Sequence, residues 1–342
     1  MHSRDLIEQY KGYVQNWRRY FHKHPELSNE EFETTKTLAK ELESMGVHVD
    51  IERGIGLIGI IHGANPGRAI ALRADIDALP VHEHNAVDYK SEVEGKMHAC
   101  GHDGHMAILL GAAKMLMSMK DRIEGDVYLA FQPAEETGAG APDFIKFGDW
   151  YDKVDAIFGG HVWIDLSAGL MSVEEGPRMA ASSQITINVK GKQGHGAQPH
   201  QAIDAIVVAS AIVMNLQTVV SRNVSALDSV VVTIGNIHSG SEWNVIPGEA
   251  SLGGTVRFFD PNQEQYIVDT IRRIVEHTAE AYGATATLEY VKKVPPTIND
   301  PASSELAERV VIDTLGKDKL SKMRKVMPGE DFAWYLQDKP GC

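Results

Sequence analysis

The sequence predicts an α/β fold: a layered domain around a mostly parallel sheet, interrupted by a self-contained β-α-β-β-α-β unit. Two observations carry this. Short, nearly continuous apolar runs bounded by glycine, "GLIGIIHG", "AIALRAD", "GDVYLAFQP" and "VDAIFGGHVW", alternate with helical patterns through the first half of the chain. Runs of that kind suit strands covered on both faces, as in parallel sheets. After Pro177 the pattern changes to alternating strands around two long helices, the ferredoxin-like arrangement.

In chain order, 4–22 and 30–45 read as helices, the second stopped by Gly46. "GHMAILLGAAKMLMSMK" (104–120) is a strongly apolar helix and "GAGAPDFIKFG" a weaker one. In the second unit "SSQITINVKG" is a strand and 201–221 a helix, followed by strands in "SVVVTIGNIHSG" and "GEASLGGTVRFF". A helix over 261–282, opened by Asp260-Pro261, and the strand "ATATLEYVKK" complete it. The proline-rich "VPPTINDPASS" then breaks the pattern, and 301–316 returns to the earlier style. The expected organisation is therefore 1–178 as the first part of one domain, 179–293 as an insertion, and 294–342 as its second part.

Composition narrows the setting. A chain of 342 residues has room for a large core and two domains. Its 43% hydrophobic and 23% charged content is ordinary for a globular protein. A formal charge of −14 argues against a nucleic-acid partner. Two cysteines exclude a disulfide framework and point to a reducing, cytoplasmic setting. The charged N-terminus lacks the apolar core of a signal peptide, and no apolar run is expected to reach membrane-spanning length, so no membrane partner is expected.

The polar clusters fall where an open α/β sheet binds ligands, just beyond strand ends. "AIALRADIDALP" delivers Asp75 and Asp77, "GDVYLAFQPAEE" delivers Glu135 and Glu136, and "VDAIFGGHVW" delivers His161. "MHACGHDGH" opens a helix with Cys100 and His102, two apart across Gly101 and able to aim at one ion; His98 and His105 are expected to bond only to neighbours. Singly, each has an ordinary reading: solvated acids, turn formers, a buried thiol, a loop histidine. Together they offer thiolate, imidazole and carboxylate, a set suited to zinc and similar divalent ions, with room for two.

These motifs, with "FQPAEETGAGA", "GGHVW", "GHGAQPH", "EWNVIPGEASLGGTVRFF" and the N-terminal "RRYFHKHPELSNEE", occur in the order and near the spacing of a known family. The chain resembles the M20 metallopeptidases, specifically the amidohydrolase branch with hippurate hydrolase, N-acyl-amino-acid hydrolases and auxin-conjugate hydrolases. The resemblance implies a metallopeptidase-type catalytic domain with an inserted lid and dimerisation domain, and two divalent ions per subunit (Zn, Mn, Co or Ni). It implies Cys100 as a bridging ligand, His102, Glu136 and His161 as further ligands, Glu135 as general base, and Asp77 as support for a ligand. It implies that His195 reaches a partner subunit's site, that Asn244 lies on the oxyanion side, and that Arg257 reads the substrate carboxylate. It also implies one more metal-binding histidine in a segment beyond Cys342. No histidine follows His277 here, so a C-terminally truncated chain, or fewer protein ligands to the second ion, is expected.

The expected function is metal-dependent hydrolysis of N-acyl-amino acids by a homodimeric cytoplasmic enzyme. The alternatives are a dipeptidase or carboxypeptidase of the same family, and a decayed, metal-free binding protein. A cysteine-nucleophile hydrolase is disfavoured, because neighbouring carboxylates oppose a thiolate without a metal.

Overall fold

Five strands build the sheet beneath the polar clusters: β1 (His48–Asp50), β2 (Leu57–His62), β3 (Ile70–Asp75), β4 (Asp126–Gln132) and β5 (Ala156–Gly159), in the spatial order β1-β2-β4-β3-β5. The computed structural model describes residues 3–51 and 54–342. Strand β3 pairs in parallel with β4 and β5, whereas β2 pairs antiparallel with β1 and β4. The sheet is thus mixed, which corrects the expectation of a mostly parallel one. Too few residues separate β1 from β2 for a crossover, so the chain can only return antiparallel. Between β3 and β4 a helix intervenes, and that pair is parallel.

Strand β4 explains why both faces are covered. Val127, Leu129 and Phe131 point into one core cluster, Tyr128 and Ala130 into another. The first cluster is closed by α1 (Ser3–Lys23), α2 (Phe32–Ser44) and α3 (His102–Ser118), through Phe21, Leu38, Leu42, Met106 and Leu110. The second is closed by α4 (Gly140–Ile145), α5 (Trp150–Lys153) and the turn at 331–337, through Phe144, Trp150, Phe332 and Tyr335. Helix α3 starts two residues earlier than its apolar periodicity suggests, because Gly101 takes a left-handed backbone (φ 97°) as its N-cap. A Cβ there would lie 2.4 Å from Val162 Cγ2, so only glycine fits.

The chain divides into two compact units. The unit just described comprises Met1–Gly176, Ile298–Arg324 and Glu330–Cys342; the other comprises Pro177–Thr297 and Lys325–Gly329. After β6 (Gly176–Met179), the second unit runs β7 (Ser182–Lys190), β8 (Gly194–His195), α6 (Ala205–Thr218), β9 (Val231–Ser239), β10 (Val245–Ile246), β11 (Glu249–Arg257), α7 (Glu264–Ala281) and β12 (Thr285–Val294). Its four long strands form an antiparallel sheet in the order β12-β7-β11-β9. Ile185, Ile187 and Val189 of β7 pack with Ile212 and Leu216 of α6 and Ile267, Ile271 and Val275 of α7. Strand β13 (Thr297–Asn299) and helix α8 (Pro301–Thr314), capped by the Asp300 side chain, lead back to the first unit.

One expectation from composition needs correction. The segment Ala205–Asn223 is long and apolar enough, by length and composition, to cross a membrane. Its Val208, Ala209, Ile212 and Leu216 are nevertheless spent on the core of the second unit. Helix α6 starts at Ala205 rather than 201 because Asp204 caps it, accepting from Ile206 N and Val207 N.

Candidate metal centre

Because β3, β4 and β5 are parallel, their carboxyl ends share one rim. The structure brings Asp77, Cys100, His102, Glu135, Glu136 and His161 together there. Single donor atoms of Cys100, His102 and His161 lie within 4.8 Å of one another, and so do those of His102, Glu135 and Glu136.

His102 is wholly buried and held by its Nδ1, which donates to the Asp77 carbonyl at 2.8 Å. That turns Nε2 toward the rim, 3.9 Å from Glu136 Oε1. Both atoms are buried without a hydrogen-bond partner among the described residues. His161 is oriented in the same manner: Nδ1 donates to the Val162 carbonyl at 2.5 Å, and Nε2 faces Cys100 Sγ at 3.5 Å. Asp77 Oδ2 accepts from Ser28 at 2.7 Å and from the Glu136 N–H at 3.0 Å.

The carboxylates of the turn diverge. Glu136 faces His102, whereas Glu135 Oε1 accepts the N–H of Asp331 at 3.2 Å. Ala134, just before them, adopts a left-handed backbone (φ 58°). Burial, then the charges of Glu330 and Asp331, push the Glu135 carboxyl up to about 10. Burial raises Glu136 and the Cys100 thiol as well. Burial opposes protonation of His102, but Asp75 and Asp77 outweigh it and hold its pKa well above the usual range.

Burial is what the raised carboxyls and thiol have in common, neighbouring acids are what raise His102, and bound cations would relieve both. Two buried ligand atoms facing each other unpaired, with a thiol and a second imidazole alongside, fit divalent metal ions. The donor types are those of zinc and its borderline neighbours, not of calcium.

Several supporting residues were not picked out from the sequence. Arg73 is buried and donates to Asp75 at 2.6 Å, to Asp331 at 2.8 Å and through Nε to Gln132 at 2.8 Å. Gln132 in turn donates to both Asp331 oxygens, and Tyr335 donates to Gln132 at 3.0 Å. A charged residue inside the apolar run "AIALRAD" was the available signal. His105 does bond only to neighbours, but usefully. Nδ1 donates to Asp75 at 2.5 Å and Nε2 accepts the Val162 N–H at 2.9 Å, which steadies the segment bearing His161.

His195, Asn244 and Arg257 belong to the second unit. His195, on β8, is exposed and pairs with Val245 of β10, so Asn244 is its near neighbour. The Asn244 carbonyl accepts from Gly196 at 2.8 Å. Arg257 ends β11, half-buried, with no ion pair among the described residues. No hydrogen bond or ion pair among the described residues joins it to His195.

Comparison with known proteins bears on this centre. Residues 71–342 match the model of peptidase family M20/M25/M40. The chain is 42% identical over 327 residues to an N-acetyl-L-cysteine deacetylase of Bacillus subtilis, covering 95% of this chain and 77% of that one. It is 39% identical over 351 residues to thermostable carboxypeptidase 1 of Saccharolobus solfataricus, covering 98% and 88%. The crystal structure of the Bacillus subtilis YXEP protein, described as a dinuclear metal binding peptidase from the M20 family, superposes with a TM-score of 0.87 at 36% identity, covering 98% of this chain and 88% of that one. With a family match over most of its length and relatives this similar across nearly all of it, the chain belongs to peptidase family M20/M25/M40.

Proposed function

We propose that this protein is a metal-dependent amidohydrolase that cleaves the amide bond of N-acyl-amino acids. The observation that carries the reading is that the adjacent acids have different partners at one rim: Glu136 Oε1 faces His102, and Glu135, buried within reach of both, is held by the Asp331 N–H. Cys100, His102, Glu136 and His161 would hold two divalent ions, with Asp77 orienting His102. Such ions acidify water and polarise a carbonyl. Glu135 takes the proton of the attacking water and returns it to the leaving amine. His195 and Asn244 donate to the developing oxyanion. Free Cys100 is in keeping with a cytoplasmic setting.

Arg257 is assigned to the substrate carboxylate, since a half-buried guanidinium with no carboxylate partner among the described residues has its planar fork available. The test is a screen of N-acyl-amino acids against dipeptides, with zinc, manganese, cobalt or nickel added in turn. N-acyl-amino acids are expected to be turned over faster. Arg257→Ala should lose about ten- to a hundredfold in kcat/KM on the acids and little on the matching amides. Equal losses on both would reduce Arg257 to a support of its strand. The similarity to a carboxypeptidase favours peptide cleavage as the second reading. A decayed protein is the third, and elemental analysis finding no bound metal would establish it.

The reading includes a homodimer made by the second unit, each copy's His195 completing the other's site. Strand β9 is an edge strand with Ile237 exposed, and α6 turns Ile206, Val207 and Met214 outward. An open edge beside an apolar helix face suits isologous pairing. Val207→Glu with Met214→Glu should give a monomer of normal melting temperature and little activity. A fully active monomer would sink the role of His195 across subunits.

A further inference from the structure

The stretch "RRYFHKHPELSNEE" carries part of the family resemblance, yet none of its residues belongs to the donor set. Glu31 sits at the N-cap position of α2, where an acid ordinarily serves the helix's own N–H groups, but its side chain makes no cap bond. Glu26 caps the helix instead, accepting from Glu33 N at 3.2 Å and Thr34 N at 2.7 Å. Glu31 is thereby released. Fully buried, it turns away from its helix, and its Oε1 accepts the N–H of Ala134 at 2.8 Å. Its other oxygen has no partner among the described residues. A buried carboxyl with one oxygen unsatisfied costs stability, so its retention calls for a reason.

Ala134 supplies one. Its left-handed backbone is disfavoured for any residue with a Cβ, and it lies between Pro133, which has no N–H to donate, and Glu135. If Ala134 relaxed to an ordinary φ, both carboxylates that follow would swing. The same N-terminal stretch also touches the turn's other end. Ser28 donates to Asp77 Oδ2, the oxygen that receives the Glu136 N–H.

We propose that Glu31 is a positioning residue: its buried oxygen pins Ala134 in the left-handed conformation and so aims Glu135 and Glu136 in different directions. This rests on reading that pair as base and ligand. Burial moves the Glu31 carboxyl up to about 7, so an uncharged acceptor of the same shape is a fair substitute.

The experiment compares Glu31→Ala, Glu31→Gln and the double variant Glu31→Ala/Ala134→Gly in the full chain. The readouts are cobalt(II) affinity from the ligand-field spectrum, melting temperature, and kcat and KM on an N-acetyl-amino acid. Glu31→Ala should lower cobalt affinity about tenfold and kcat about ten- to a hundredfold with KM nearly unchanged. Glu31→Gln, which keeps the acceptor, should stay near the parent. Glycine at 134 takes a left-handed backbone without strain and should recover about half of the logarithmic loss. If Glu31→Ala fails to fold, Glu31→Asp keeps a carboxyl but draws it back by one methylene, and carries the same expectation. Parent-like cobalt binding and turnover in Glu31→Ala would overturn the proposal. So would a Glu31→Gln as damaged as Glu31→Ala, or no recovery from Ala134→Gly. If the parent hydrolyses no N-acyl-amino acid with any metal, the functional reading fails, and the cobalt measurements still decide the role of Glu31.

Discussion

Glu135→Gln is expected to keep its full complement of metal while losing about 10²–10⁴-fold in kcat. The glutamine retains the shape of the side chain and an oxygen able to accept the Asp331 N–H, so the turn should not move. What it cannot do is take a proton. Glu136→Gln is expected to behave differently and lose both metal and turnover, because its Oε1 faces His102 Nε2 with no hydrogen-bond partner among the described residues. Steady-state kinetics with elemental analysis on both variants separates the roles. Metal loss from the first variant, with binding intact in the second, would exchange the two assignments.

Arg73→Met is expected to destabilise the fold by about 3–5 kcal/mol, measured by urea unfolding. The guanidinium is 8% exposed as a residue and lies against three carboxylates, Asp75, Glu330 and Asp331, at 2.6, 3.1 and 2.8 Å. Methionine fills much of the volume but leaves those acids buried without their cation. Asp331→Asn should cost much less. Burial already moves the Asp331 carboxyl up to about 7 against the pull of Arg73, and an asparagine oxygen can still accept from Arg73 or Gln132. A loss under about 1 kcal/mol for Arg73→Met would mean that the acids simply protonate and that the arginine is dispensable.

The sequence revealed most where local chemistry decides the outcome. Helix α2 was legible from its apolar spacing and the left-handed Gly46 behind it, and β4 from its unbroken apolar run. The rim donors were legible because strand ends in an α/β sheet are where such groups converge. Sheet direction was not, since an apolar strand looks alike in either orientation and only the short link between β1 and β2 settles it. Nor were the supports. Gln132 and Asp331 lie 199 positions apart, and Glu31 and Ala134 lie 103 apart. No periodicity couples residues at such separations. Those pairings exist only once the chain has closed.

That closure has a consequence for the order of events during synthesis. Arg73 must wait for Asp331, 258 residues later in the chain. At bacterial or eukaryotic translation rates of roughly 5–20 residues per second, the delay is on the order of ten to fifty seconds. Throughout it, the nascent sheet carries a guanidinium whose distant counter-ion has not been made. Nearly all of the second unit, with a core of its own, is synthesised within that interval. The first unit's charge network is therefore among the last things the ribosome makes possible, and a stall or cleavage before residue 331 leaves it open.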